Sequence, residues 1–279
     1  LTNLGCMHGQ MLMLGIKGFE LTTNEVHYLS KIQPGGFVLF SRNIDTPEQV
    51  RALTDSLREI CEIPPIIAID QEGGRVARLQ VPHWRHPPPA RLFGDLWDRD
   101  PDNARRAAML NGQLVGADLR GNGINVDCAP ILDVPVPGSH DIIGDRAFHT
   151  KPEAIAALGR AFADGLIAAG VLPVIKHIPG HGRAAADSHT ELPVVDATLQ
   201  SLENDFMPFR ALHELPLAMT AHVLYRALDL AHPATTSALI IADIIRTKIG
   251  FDGLLISDDI SSNMRALSGS FARRASDSI

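Results

Sequence analysis

Leu172-Pro173-Val174-Ile175 is an apolar run that stops at two ionisable residues, Lys176-His177. The same ending recurs along the chain. Asp70 follows Ile66–Ile69, Asp127 follows Ile124–Val126, Thr220 and His222 follow Leu215–Met219, and Asp258-Asp259 lie just past Leu254–Ile256, while Met11–Ile16 and Gly36–Phe40 are further apolar runs. Short continuous runs of this kind read as buried parallel strands. The segments between them carry helix signals. Thr46-Pro47 supplies a cap and a first turn, with Val50, Leu53, Leu57 and Ile60 following at helical spacing, and Asn103–Leu119, Pro152–Ala169, Leu199–Leu212 and Ala238–Ile249 look similar. Strand alternating with helix implies crossover units and a parallel sheet. A doubly wound sheet collects its ligand groups at one switch point, whereas a (β/α)₈ barrel brings every strand's C-terminal end to one face. Polar groups spread over so many strand ends therefore predict an α/β fold of the TIM-barrel type, with residues 1–279 as a single catalytic domain. Closure needs an eighth strand. It is expected either near Leu132–Val136 or beyond the point at which this chain stops, in which case the last β/α unit is lacking.

With 25 Lys+Arg against 32 Asp+Glu the net charge is −7, and no basic run appears, which argues against a partner bound through nucleic-acid phosphates. Cys6, Cys61 and Cys128 are far apart and form no C-x-x-C pair, so neither a disulfide framework nor a cysteine zinc site is expected, and a reducing cytoplasm fits. The opening Leu-Thr-Asn-Leu-Gly-Cys lacks the basic region and apolar run of a secretory signal. The longest apolar stretch, Ala238 to Ile245, is interrupted by Asp243, so no membrane partner is expected.

Three constellations could carry chemistry. The first is Lys176-His177-Ile178-Pro179-Gly180-His181-Gly182 with Asp187-Ser188-His189. Pro179, Gly180 and Gly182 forbid a continuous helix, so a loop presents these side chains. In one reading, Asp187 holds the His189 imidazole in a local turn and readies it for proton transfer. In a second, His177, His181 and His189 bind a metal, although H-x-x-x-H spacing orients ligands dependably only on a helix. In a third, the histidines are structural. The second constellation is Asp258-Asp259, where a strand-end carboxylate is a rigid platform for a nucleophile and Asp259 is expected to cap the helix that follows. The third is Asp70-Gln71-Glu72-Gly73-Gly74-Arg75-Val76-Ala77-Arg78, a charged Gly-Gly turn whose carboxylates suit hydroxyl groups.

Taken in order, Ile69–Val76, Val126–Val134, Ile143–Phe148, Lys176–Gly182, Asp187–His189 and Ser257–Asp259 resemble the motif series of family 3 glycoside hydrolases, most closely the single-domain bacterial β-N-acetylhexosaminidases that recycle cell-wall fragments. The resemblance implies a (β/α)₈ barrel and a two-step retaining mechanism without metal or cofactor. Asp258 would be the nucleophile, and His189, oriented by Asp187, the acid and then the base. Asp70, Arg78, Arg146, Lys176 and His177 would bind a small carbohydrate, a terminal N-acetylglucosamine of muropeptide-derived disaccharides. Ile178 stands where phenylalanine is common in the family, and Arg183-Ala184-Ala185-Ala186 is less polar than usual. The alternatives are a glycoside phosphorylase and a catalytically silent sugar-binding barrel.

Overall fold

The computed structural model describes residues 9–138, 141–184, 192–261, 267 and 269–278. Its main sheet has seven strands: β1 (Met13–Gly15), β2 (Gly36–Leu39), β3 (Ile66–Ile69), β4 (Val126–Asp127), β5 (Leu172–Ile178), β6 (Leu217–Thr220) and β7 (Leu254–Ser257). Every pairing is parallel and each strand neighbours the next in sequence. A doubly wound sheet must reverse its order part-way, and this one does not.

The side chains confirm the curvature. Met13, Val38, Ala68, Val126, Val174, Leu217 and Ile256, one from each strand, share an interior cluster with Cys128 and Met219. A flat sheet cannot bring its first and last strands to one cluster; a sheet curling around an axis does. The alternate residues, among them Phe37, Leu39, Ile67, Ile69 and Ile175, point outward into the larger core. The fold class is the barrel type that the strand ends predict. Leu132–Val136 forms no strand: beside it Ile131 makes a lone parallel bridge to Lys176, whose amide donates to the Pro130 carbonyl at 3.2 Å and whose carbonyl accepts from the Leu132 amide at 2.7 Å.

Six of the helices form an outer layer: α1 (Thr23–Ile32), α2 (Pro47–Glu59), α3 (Arg91–Trp97), α4 (Pro101–Gly121), α5 (Pro152–Ala168) and α6 (Leu199–Ala211). Thr46, Asp100 and Thr198 cap α2, α4 and α6 with a side-chain oxygen, satisfying amides that the first turn leaves without partners. The segment Ile240–Ile249 winds with π-helical hydrogen bonds, and α7 (Phe271–Asp277) follows β7. Helices α4 and α5 pack backbone to backbone. A Cβ on Gly112 would lie 2.2 Å from the Phe162 carbonyl oxygen, and one on Gly165 would lie 2.2 Å from that of Met109. Among the described residues no helix is long and apolar enough to cross a membrane.

Candidate active site

Strand β3 delivers Asp70 to the C-terminal rim, and the antiparallel hairpin Gln71–Gly73/Val76–Ala77 carries Glu72 and Arg78 just beyond it. Strand β5 places Lys176 among them. The Lys176 ammonium, 2% exposed, sits 2.9 Å from Asp70 Oδ1 and 2.7 Å from Glu72 Oε1. Arg78 donates to Asp70 Oδ2 at 3.1 Å. Arg146 forks onto Glu72, with Nε donating to Oε2 at 2.9 Å and Nη2 to Oε1 at 2.8 Å. Burial alone would neutralise Glu72, but the Lys176 and Arg146 charges hold its carboxyl far below the usual range. Burial works equally against Lys176, and Asp70 with Glu72 keep it charged. Two carboxylates and three cations thus form one ionised lattice.

A second group is organised by Asp133, which is fully buried in the loop after β4. It accepts from the backbone amides of His177 (3.2 Å) and His181 (2.6 Å), and its Oδ2 lies 2.7 Å from His177 Nδ1. Burial opposes its charge, but the histidines and these hydrogen bonds hold its carboxyl below the ordinary value. An ionised carboxylate only accepts, so the His177 Nδ1 carries a hydrogen and donates it to Asp133. The His181 ring packs edge-on against His177, and burial, then the neighbouring His177, pushes it down to about 4, so it is neutral at pH 7.

At the far rim, Asp258 follows β7 and is half-buried. Its Oδ1 accepts the Asp259 amide at 2.7 Å. Burial opposes the charge, yet His222, His177, that amide and Lys176 hold the carboxyl down to about 2. Asp258 is therefore ionised at any physiological pH and faces the histidines and lysine of β5 and β6. The His222 ring, lowered by its burial, lies 2.9 Å through Nε2 from the Asp259 carbonyl, which ties the end of β6 to that of β7. Asp259 is exposed and turns its carboxylate onto Ser261, accepting from its amide at 2.7 Å and its hydroxyl at 2.9 Å. Among the described residues the next helix is α7, which begins at Phe271 and is capped by Ser270.

The arrangement offers an ionised carboxylate across from a cluster of fixed hydrogen-bonding charges, the complement of a polyhydroxylated ligand. The family model for the "Glycosyl hydrolase family 3 N terminal domain" matches residues 6–279. The chain belongs to glycosyl hydrolase family 3. Beta-hexosaminidases of the same family include that of Alkalilimnicola ehrlichii, 43% identical over 95% of this chain and 76% of the relative, and that of Thiobacillus denitrificans, 40% identical over 94% and 73%. Among solved structures, NagZ from Neisseria gonorrhoeae in complex with N-trifluoroacetyl-D-glucosamine superposes with a TM-score of 0.89 at 36% identity, covering 96% of this chain and 78% of that one. The family 3 beta-N-acetylglucosaminidase of a Paenibacillus strain gives 0.90 at 33% identity, covering 99% and 53%. The protein is a glycoside hydrolase, an enzyme of the β-hexosaminidase group, on a TIM-type barrel.

Asp70, Lys176, His177 and Asp258 come together on one face, as the strand ends imply, and Arg78 and Arg146, expected from the resemblance alone, join them through Asp70 and Glu72. Asp187 and His189 lie outside the described residues, and with them the three-histidine metal reading. Among the described residues no cluster of three or more His, Cys, Asp or Glu is arranged to hold a metal ion. Sequence reasoning puts His222 on this face without giving it a role, and it misses Asp133 as a member of the site. The signal for His222 is its place after β6; for Asp133 there is none, because its partners lie 44 and 48 residues further along.

Proposed function

We propose that this glycoside hydrolase is a retaining, exo-acting β-N-acetylglucosaminidase that removes terminal N-acetylglucosamine from muropeptide-derived disaccharides in the cytoplasm, with residues 1–279 as one catalytic barrel domain. The observation that carries the reading is Asp258. It is a carboxylate kept ionised against its own burial, on a rigid strand end, facing Lys176 and His177. Such a group attacks an anomeric carbon in line and does not donate a proton.

In the first step an Asp258 oxygen forms a bond to C1 as the glycosidic C–O bond breaks, and the leaving oxygen takes the proton that His189, oriented by Asp187, supplies. Water then gives its proton to His189, attacks C1 and releases Asp258, so that two inversions leave the configuration unchanged. Asp70, Arg78 and Lys176 bind the sugar hydroxyls, and Arg146 with His177 completes the binding wall. No step calls on a metal or a cofactor. The N-trifluoroacetyl-D-glucosamine bound by the Neisseria NagZ supports an N-acylated glucosamine as the ligand.

Proton NMR during hydrolysis of a nitrophenyl β-N-acetylglucosaminide tests the proposal. The β-anomer of N-acetylglucosamine is the expected first product. The α-anomer appearing first overturns retention, and a sugar phosphate formed whenever inorganic phosphate is present makes the enzyme a phosphorylase. Binding without turnover makes it a sugar-binding barrel.

A further inference from the structure

Asp127 is the acid at the end of β4, fully buried beneath the site and given no part in the chemistry above. Its Oδ1 accepts the Gln71 amide at 3.0 Å. Gln71 stands between Asp70 and Glu72, and its side-chain oxygen in turn accepts the Arg78 amide at 2.8 Å and the Leu79 amide at 3.0 Å. The one hydrogen bond that Asp127 accepts therefore stands behind Asp70, Glu72 and Arg78, three of the four charged groups gathered around Lys176. The other oxygen, Oδ2, is buried and has no hydrogen-bond partner among the described residues.

An ionised oxygen buried without a donor costs far more than a neutral carboxyl in the same place. Of the neighbouring charges only Lys176 favours the ionised form, and two carboxylates act against it. Facing Asp127 from the segment after β3 are Asp70 and Glu72, and from β5 there is Lys176, already shared by those two carboxylates. Arg78 and Arg146 are likewise spent on Asp70 and Glu72. On its own segment the next group is Cys128, whose buried thiol is pushed well up and stays neutral.

We propose that Asp127 is a positioning residue that works in its proton-bearing form: through the Gln71 N–H it sets the spacing of Asp70 and Glu72 around the Lys176 ammonium, and loss of its proton sets the alkaline limit of the enzyme. Burial, first of all, pushes the Asp127 carboxyl up to about 8; Asp70 and Glu72 push the same way, and the Gln71 amide and Lys176 oppose them. Ionisation places a third anion against one lysine, and the lattice that holds the sugar must rearrange. The inference rests on the assignment of Asp70 and Lys176 to sugar binding.

The test is the pH profile of kcat/KM for wild type and D127N, the amide being a permanently neutral mimic of the acid. Wild type is expected to fall about tenfold between pH 7 and pH 9, while D127N stays level over the same range. An equal fall in both overturns the proposal. Carbon-13 NMR of wild type labelled at its aspartate carboxyls supplies a second arm, which needs neither a folded variant nor turnover. One aspartate titrating near pH 8 is expected, and none titrating above pH 7 overturns the proposal even if the sugar assignment stands. A titrating aspartate beside a level wild-type profile removes the alkaline limit from it.

Discussion

Arg146 grips Glu72 through two parallel N–H···O bonds of 2.9 and 2.8 Å, and both side chains are almost withdrawn from water. Paired geometry of this kind is what makes a buried carboxylate tolerable, and removing one member leaves an uncompensated charge. Glu72→Gln is therefore expected to lower unfolding free energy by about 3–5 kcal/mol at pH 7 in denaturant titrations. The difference has a pH signature. Glu72 is depressed on folding, so its contribution is present above the ordinary glutamate value of 4.5 and drains away as pH falls below it. Wild type and variant should converge in acid, and a gap that is constant from pH 7 to pH 3 contradicts the ion-pair account.

Asp258→Ala removes the proposed nucleophile for every leaving group. Turnover should be lost on the natural disaccharide and on nitrophenyl glycosides alike. A fluorinated slow substrate should label wild type on Asp258, readable by peptide mapping. Asp259 carries its carboxylate on Ser261, out at the surface, so a label there would refute the division drawn between the two.

For His189 the expectation is asymmetric. General acid catalysis contributes about 10²–10⁴-fold, and less when the leaving group departs easily without a proton. His189→Ala should lose most of its activity on the disaccharide but far less in the glycosylation step with a nitrophenyl substrate, where the glycosyl-enzyme should accumulate. Equal losses on both substrates would point to a different proton donor.

Chelation should leave the enzyme untouched, since the proposed steps use only protein groups and water. Rates with nitrophenyl glycoside before and after dialysis against EDTA check this. Loss of activity that zinc restores would revive a metal site built on His177, His181 and His189.

The barrel face was open to a reader of the sequence because the strand-end rule is topological: Asp70, Lys176, His177, His222 and Asp258 need only follow their strands to converge. The bonds among them were not. That Lys176 is shared by Asp70 and Glu72, or that Asp133 holds both histidines, follows from neighbouring loops meeting in space, and residue spacing does not encode that. Helix α1 is a different omission. Thr22 and Glu25 form a complete capping box, a local signal, but the helix buries only Leu29, so its apolar stripe is too thin to register as periodic.

Asp133 also constrains how the enzyme can be re-engineered. Because one carboxylate braces His177 and His181 from the neighbouring loop, and Gly182 has no room for a Cβ against the Val134 backbone, the two loops interlock as a single mechanical part. A chimera that takes residues 177–184 from a relative while keeping the host's 129–134 mates two halves cut to different templates. Transplants that carry both loops together should keep their histidines in register, and this makes the pair, not either loop, the natural unit of exchange.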